Sequence, residues 1–270
     1  MSHPEDFSGN IGRFTGFADL YDRYRASPPV VLAELVAQFT GVARPELVVD
    51  LGSGTGLSTR YWADKAAHVI GLEPTRDMRR QAEAATTAGN VSYREGFSHH
   101  TGLPAHCAQV VTCMQALHWM EPAATFAEAK RILAPGGVFV ACDYDWPPAT
   151  GAWEADAAYE ASIRTARRLE KEHKLDEGLQ QWDKAGHLAR MQQSGCFRYM
   201  KEALVHHRDE GNAERLVGLH LSQGYVAALL RAGLSEDQLD ITELRAVALR
   251  TIGSTPRPFI WSARVRLSVV

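Results

Sequence analysis

Residues 46–62 read ELVVDLGSGTGLSTRYW, and the fold turns on this stretch. A short apolar run, Leu47 to Leu51, carries Asp50; Gly52, Gly54 and Gly56 then make a tight turn, and a helical pattern starts at Leu57. An apolar strand, a glycine turn and a helix open a βα unit whose backbone can lie against a ligand. Glycines suit that turn because a side chain would block the approach, and some positions require positive φ. The spacing excludes two common ligands. A dinucleotide fingerprint, GxGxxG, needs its third glycine at position 57 or 59, where Leu57 and Thr59 stand. A Walker A loop needs Gly-Lys-Ser/Thr, which the stretch lacks.

Working outward, strands and helices alternate. The patterning predicts helix Leu57 to Ala67, strand His68 to Leu72 ending in Glu73, helix Thr75 to Ala88 and strand Asn90 to Tyr93. Strand Gln109 to Met114, helix Ala123 to Leu133, a turn over APGG at Ala134 to Gly137, and strand Gly137 to Asp143 follow. This rhythm implies βαβ units and a parallel sheet. Upstream, Ala18, Leu20, Tyr21 and Tyr24 share a helical face, and Ser27 reads as the N-cap of a helix opened by Pro28 and Pro29 and closed at Gly41. Past Asp143 the rhythm breaks. Helices are expected over Trp153 to Lys174, Glu177 to Ser194, Asn212 to Ala232 and Ser235 to Ile252, with a strand over Phe197 to His206. Phe259 to Val269 alternates as an antiparallel edge strand does. The expected fold is α/β: a Rossmann-like three-layer sandwich on a mostly parallel seven-stranded sheet, with an antiparallel edge strand and a helical cap insertion. Residues 1–145 would hold the N-terminal helices and the core, 146–252 the cap with one core strand, and 253–270 the last strand, all in one domain.

Composition bounds the function. The chain has 270 residues, 45% of them apolar and 23% charged, so a core needs no disulfide or metal. A net charge of −3 and a pI near 6.4 oppose a protein built to coat nucleic acid or an anionic membrane. The start, MSHPEDFSGN, shows no signal-peptide pattern. Cys107, Cys113, Cys142 and Cys196 form no CxxC pair and read as thiols in a reducing, cytoplasmic setting. No metal site is expected.

The glycine turn with Asp50 before it, DxGxGxG, resembles motif I of class I methyltransferases that use S-adenosylmethionine (SAM). So do Glu73 closing the second strand, the segment YREGFSHHTGLPAHCAQVVTCMQALHWM, and RILAPGGVFVACDY, together spanning roughly Leu47 to Tyr144. FADLYDRYRASPP upstream resembles the segment that precedes the first strand in small-molecule members such as trans-aconitate methyltransferases. The resemblance implies SAM as cofactor, S-adenosylhomocysteine as product, and a set of binding residues. Asp50, Gly52, Ser53, Gly54 and Gly56 would wrap the methionine moiety, with Asp50 drawing the ammonium. Glu73 would hold the ribose hydroxyls, and Pro74, Met78, Phe97 and Ser98 would flank the adenine. Many members carry an acid where this chain has Phe97. Gln115, Ala116 and Leu117 would line the methyl group, with Tyr21 and Arg25 covering the carboxylate end.

Methyl transfer from a sulfonium is an in-line displacement, so a base is required only where the acceptor must lose a proton. His118, just past the fourth strand, is the candidate base; a packing role under the cofactor is the alternative reading. Tyr144, Trp146, His220 and Tyr225 are candidates for an aromatic acceptor pocket, although each is equally readable as core. The expected activity is methyl transfer to a small organic acceptor such as a carboxylate or phenol. A macromolecular acceptor and a SAM-binding protein without transfer remain alternatives, a homodimer is left open, and neither membrane nor nucleic acid is an expected partner.

Overall fold

A computed structural model describes residues 7–270, so the first six residues of the polar start lie outside the described residues. The helices are α1 (Ser8–Arg13), α2 (Ala18–Tyr24), α3 (Leu32–Thr40), α4 (Leu57–Tyr61), α5 (Arg76–Ala85), α6 (Pro122–Ile132), α7 (Trp153–Glu172), α8 (His187–Gln193), α9 (Ala213–Leu221), α10 (Gly224–Arg231) and α11 (Ile241–Thr251). The strands are β1 (Leu47–Leu51), β2 (His68–Leu72), β3 (Val91–Arg94), β4 (Ala108–Met114), β5 (Leu133–Tyr144), β6 (Tyr199–Gly211) and β7 (Arg257–Val269). They form the expected seven-stranded sheet, in the order β3-β2-β1-β4-β5-β7-β6. β1 to β5 pair in parallel, while β7 runs antiparallel to β5, with β6 beyond it.

Contacts divide the chain into two compact units. The core unit comprises Ser27–Tyr144, Gln180–Val205 and Ala263–Val270; the helical unit comprises the chain up to Ala26, Asp145–Leu179 and His206–Ser262. In the core unit, Val49, Leu51, Val111, Cys113, Phe139 and Ala141 lie in one buried cluster with Phe126, Met191 and Phe197. Those strands are near-continuous apolar runs because a parallel sheet is covered on both faces. Phe126, Phe139 and Phe197 form an aromatic triangle with centroids 5.6–5.8 Å apart. In the helical unit, α7, α9, α10 and α11 pack together, and a buried Arg13–Glu170 ion pair ties the N-terminal segment to α7.

Several expected boundaries move. Ser27 caps no helix: α3 starts at Leu32 with Val31 before it, and the Ser27 carbonyl accepts from the Tyr144 hydroxyl. α4 stops at Tyr61 and the chain continues in turns, since Asn90 Nδ2 takes the Ala63, Ala66 and Ala67 carbonyls. Instead of one helix over Glu177 to Ser194 there is irregular chain, a short 3-10 turn at Lys184–Gly186, and α8. The expected helix Asn212 to Ala232 is two, broken at Ser222 and Gln223. All four cysteines are free, with Cys113 and Cys142 buried in β4 and β5. No helix among the described residues is long and apolar enough to cross a membrane.

Phe139→Ala removes the ring shared by two contacts of the aromatic triangle and should cost about 3–5 kcal/mol. Urea unfolding measures this, and a loss under about 1 kcal/mol would mean the triangle contributes little.

Candidate functional site

In a parallel sheet the C-terminal strand ends share one edge, and the core unit's polar side chains gather there. Register sets the row. β1 pairs Leu51 with Leu72, and β4 pairs Met114 with Cys142, so Gly52, Glu73, Gln115 and Asp143 each come one step past the last pair.

Asp50, fully buried in β1, accepts from Thr59 Oγ1 at 2.7 Å, Thr112 Oγ1 at 2.9 Å and Ser58 Oγ at 3.3 Å. Burial raises its pKa to about 6, with the three hydroxyls opposing the rise and the Glu73 charge adding to it. These bonds fasten β1 to β4 and to the start of α4, so Asp50 holds the turn from beneath. Gly52, Gly54 and Gly56 all have positive φ, at +64°, +54° and +84°. Their surroundings differ. A Cβ on Gly52 would land 2.6 Å from Met120 Cε and 2.8 Å from Ala116 Cβ, and one on Gly56 would strike the Tyr93 hydroxyl. A Cβ on Gly54 would meet nothing within 4 Å, so Gly54 is where the turn faces open space. Ser53 N–H donates to the Leu72 carbonyl at 3.0 Å, stitching the turn to β2.

The Glu73 carboxylate spans the gap between turn and helix. Its Oε2 accepts from Gly54 N at 2.9 Å and its Oε1 from Thr75 N at 2.8 Å. The Thr75 side chain is a third donor to this carboxylate, which leaves it room for one more, such as a ligand hydroxyl. Burial raises its pKa, and the two backbone donors oppose that. Met78 is buried beneath α5, Pro74 is half-buried, and the Pro74 carbonyl accepts from Arg79. Phe97 stacks on His99 at 5.4 Å, and Ser98 shares a hydrogen bond with Thr125.

After β4 the chain turns at Gln115, whose positive φ of +52° is held by its N–H on the Cys142 carbonyl. Ala116 flanks Gly52, and Leu117 joins the hydrophobic core. His118 is buried, and its carbonyl accepts from Trp182 N at 2.8 Å. His118 Nδ1 lies 3.8 Å from Asp143 Oδ1. Lys184 Nζ stands 3.2 Å from the same oxygen and donates to Gln115 Oε1 at 2.8 Å. Arg266 Nη1 is 3.1 Å from Asp143 Oδ2, and His187 Nε2 is 3.9 Å from it. Sequence patterning did not single out Asp143, Trp182, Lys184 or His187 for this cluster. Lys184 and His187 sit in a segment read as plain helix, where nothing marks what they face.

The helical unit carries the other candidates. The Arg25 guanidinium lies 4.6 Å from the ring centroids of Tyr21 and Trp146, and it donates to the Ser222 carbonyl and hydroxyl and to Gln223 Oε1. Tyr21, Arg25 and Trp146 are thus brought together. His220 is buried, with Nε2 2.8 Å from Ser162 Oγ and its ring against Tyr159 and Tyr225; burial lowers its pKa to about 4. The Tyr225 ring carries the Arg167 guanidinium at 3.8 Å.

The family model described as a methyltransferase domain matches residues 49–141, the stretch from β1 into β5. A methyltransferase-named protein of Dictyostelium discoideum is 30% identical over 115 residues, 43% of each chain. Erythromycin 3''-O-methyltransferase of Saccharopolyspora erythraea is 28% identical over 42% of this chain and 39% of its own. The chain therefore matches less than half the length of either curated relative. A solved methyltransferase structure from Anaeromyxobacter dehalogenans shares the fold over 91% of this chain and 97% of that one, with a TM-score of 0.62 at 19% identity. The matched segment and the shared fold are similar to those of methyltransferases, which draw their methyl group from SAM. The site suits that cofactor: open space over Gly54, a carboxylate beside it at Glu73 with room for a further donor, and no lysine in the turn for a triphosphate.

Two outcomes are expected. Gly54→Val should abolish SAM binding in titration calorimetry while circular dichroism stays native, because its side chain fills the open path; normal binding by a folded variant would place the ligand elsewhere. The second concerns pH. Asp50 binds its proton more tightly folded, near pH 6, than unfolded, near 3.8. Its contribution is therefore most favourable below the unfolded value and is lost as pH rises through about 6, by at most ~3 kcal/mol. Urea unfolding between pH 4 and 7.5 should show this fall in wild type and a flatter profile in Asp50→Asn. Matching profiles would remove Asp50 as its source.

Proposed function

We propose that this chain transfers the methyl group of SAM to a small organic acceptor, such as a carboxylate or phenol, and that His118 takes the proton of an acceptor that, like a phenol, must lose one. The observation that supports this reading most is the placement of His118. It follows β4 by a short turn, its neighbour Ala116 packs against Gly52 of the cofactor turn, and its ring faces a buried carboxylate. The erythromycin relative is named for O-methylation of a small molecule, in keeping with such an acceptor.

When bound, SAM supplies a methyl group on a positively charged sulfur that leaves as a neutral thioether. The residues of this chain do the rest. Glu73 and the backbone around Gly54 hold the cofactor so that the methyl group has a fixed address, which is where most of the rate comes from. His118 receives a proton as the acceptor oxygen forms its bond to carbon, so the product leaves neutral and the imidazole leaves charged. The Trp182 N–H on the His118 carbonyl fixes the backbone that carries the base.

The test is a screen of carboxylic acids and phenols that follows S-adenosylhomocysteine release. With an acceptor that must lose a proton in hand, such as a phenol, His118→Ala should lower the transfer rate by about 10²-fold while SAM affinity stays within about twofold. A packing role predicts the reverse, with weaker SAM binding, a lower Tm and little specific loss of turnover. Release that responds only to protein or RNA in the screen would overturn the small-molecule reading.

A further inference from the structure

Four elements converge on the Asp143 carboxylate in the core unit: the turn after β4 with Gln115 and His118, the Lys184–Gly186 turn, α8 with His187, and β7 with Arg266. Asp143 is 3% exposed, and both its oxygens face cationic or imidazole nitrogen within 3.9 Å. Arg266 also pairs with Glu202 at 2.8 Å, and Arg190 donates to His187 Nδ1 at 2.9 Å.

The ring nitrogens are assigned by what they face. Arginine only donates, so His187 Nδ1 must accept, and the His187 proton sits on Nε2, toward Asp143. Burial lowers the His187 pKa to about 4, so this ring is neutral near pH 7. At His118 the nitrogen facing Asp143 is Nδ1. An ionised carboxylate only accepts, which favours the proton on Nδ1 and leaves the lone pair on Nε2. At 3.8 Å the pair is longer than a hydrogen bond yet within the range where an opposite charge shifts a titration.

Asp143, His118 and His187 also place three potential metal-ligand atoms within 4.8 Å of one another. The charges oppose that use. Asp143 already carries Arg266 and Lys184, and His187 Nε2 holds a proton while Arg190 occupies Nδ1. A divalent cation would have to displace all of this.

We propose that Asp143 is the positioning residue of the methyl-transfer base: it fixes His118 in the Nδ1–H tautomer and raises its basicity, and Lys184, paired to the same carboxylate oxygen, holds that basicity down. The proposal rests on His118 being the base. An acceptor that draws Lys184 away leaves Asp143 Oδ1 to His118, with Oδ2 still on Arg266, so the base strengthens when the site is filled.

Long-range proton–nitrogen spectra of the histidine-labelled whole chain, recorded across pH, read tautomer and pKa without any acceptor. In wild type His118 should show the Nδ1–H form above its titration. Asp143→Asn should lower the His118 pKa by about 1 unit or more, and Lys184→Met should raise it, because each removes one sign of charge. If Asp143→Asn fails to fold once Arg266 loses its partner, Lys184→Met still decides, since its side chain is 35% exposed. An Nε2–H tautomer, or a Lys184→Met variant with an unmoved or lowered pKa, overturns the proposal. Failure of the base reading looks different: His118→Ala would turn over like wild type whatever the spectra show.

Discussion

The Asp50 carboxylate takes three hydroxyl hydrogen bonds at a point no water reaches, and the cofactor turn hangs from it. Thr112 brings in β4, and Ser58 and Thr59 bring in α4, so one buried charge fixes the strand on one side of the turn and the helix after it. An ionised group in that position is costly unless its acceptors are filled. Three hydroxyls fill most of them, and the raised pKa records what remains unpaid by them. The consequence is a turn with little freedom, in which three glycines at positive φ can be held in one shape.

The same residue explains a division of labour that sequence patterning blurred. Asp50 reads as a ligand for the methionine ammonium, and in the structure its oxygens accept from three of the protein's own hydroxyls. Glu73 has room for one further donor and stands beside Gly54, the glycine with free space over it. The glycines divide too: Gly52 and Gly56 are required by Ala116, Met120 and Tyr93, and Gly54 by its backbone angle and the space above it.

The parallel half of the fold was legible because each signal there is local. An apolar run of five residues, a glycine turn and a helix period lie within one stretch, and β1 through β5 follow them closely. What was not legible depends on partners far along the chain. Asn212 to Ala232 has an unbroken helical pattern, yet it breaks at Ser222 and Gln223, whose carbonyl, hydroxyl and amide oxygens are taken by Arg25, nearly two hundred residues earlier. Ser27 has the chemistry of a cap, but its carbonyl is claimed by Tyr144 instead. Glu177 to Ser194 lost its first half to a turn that carries Lys184 to Asp143, a destination no period or propensity encodes.

That last displacement bears on chemistry more than on architecture. Three residues apart, Lys184 and His187 would share one face of a helix through residues 177–194. A 3-10 turn at Lys184–Gly186 followed by α8 at His187 lets both side chains reach the same carboxylate. The cluster then holds two acids, Asp143 and Glu202, against two cations, Arg266 and Lys184, before either imidazole or the neighbouring Arg190 is counted. Moving Arg266 would strand a buried guanidinium, whereas Lys184 has solvent at hand. Of the two cations on Asp143 the lysine is thus the one free to move, an asymmetry set by burial before any acceptor arrives.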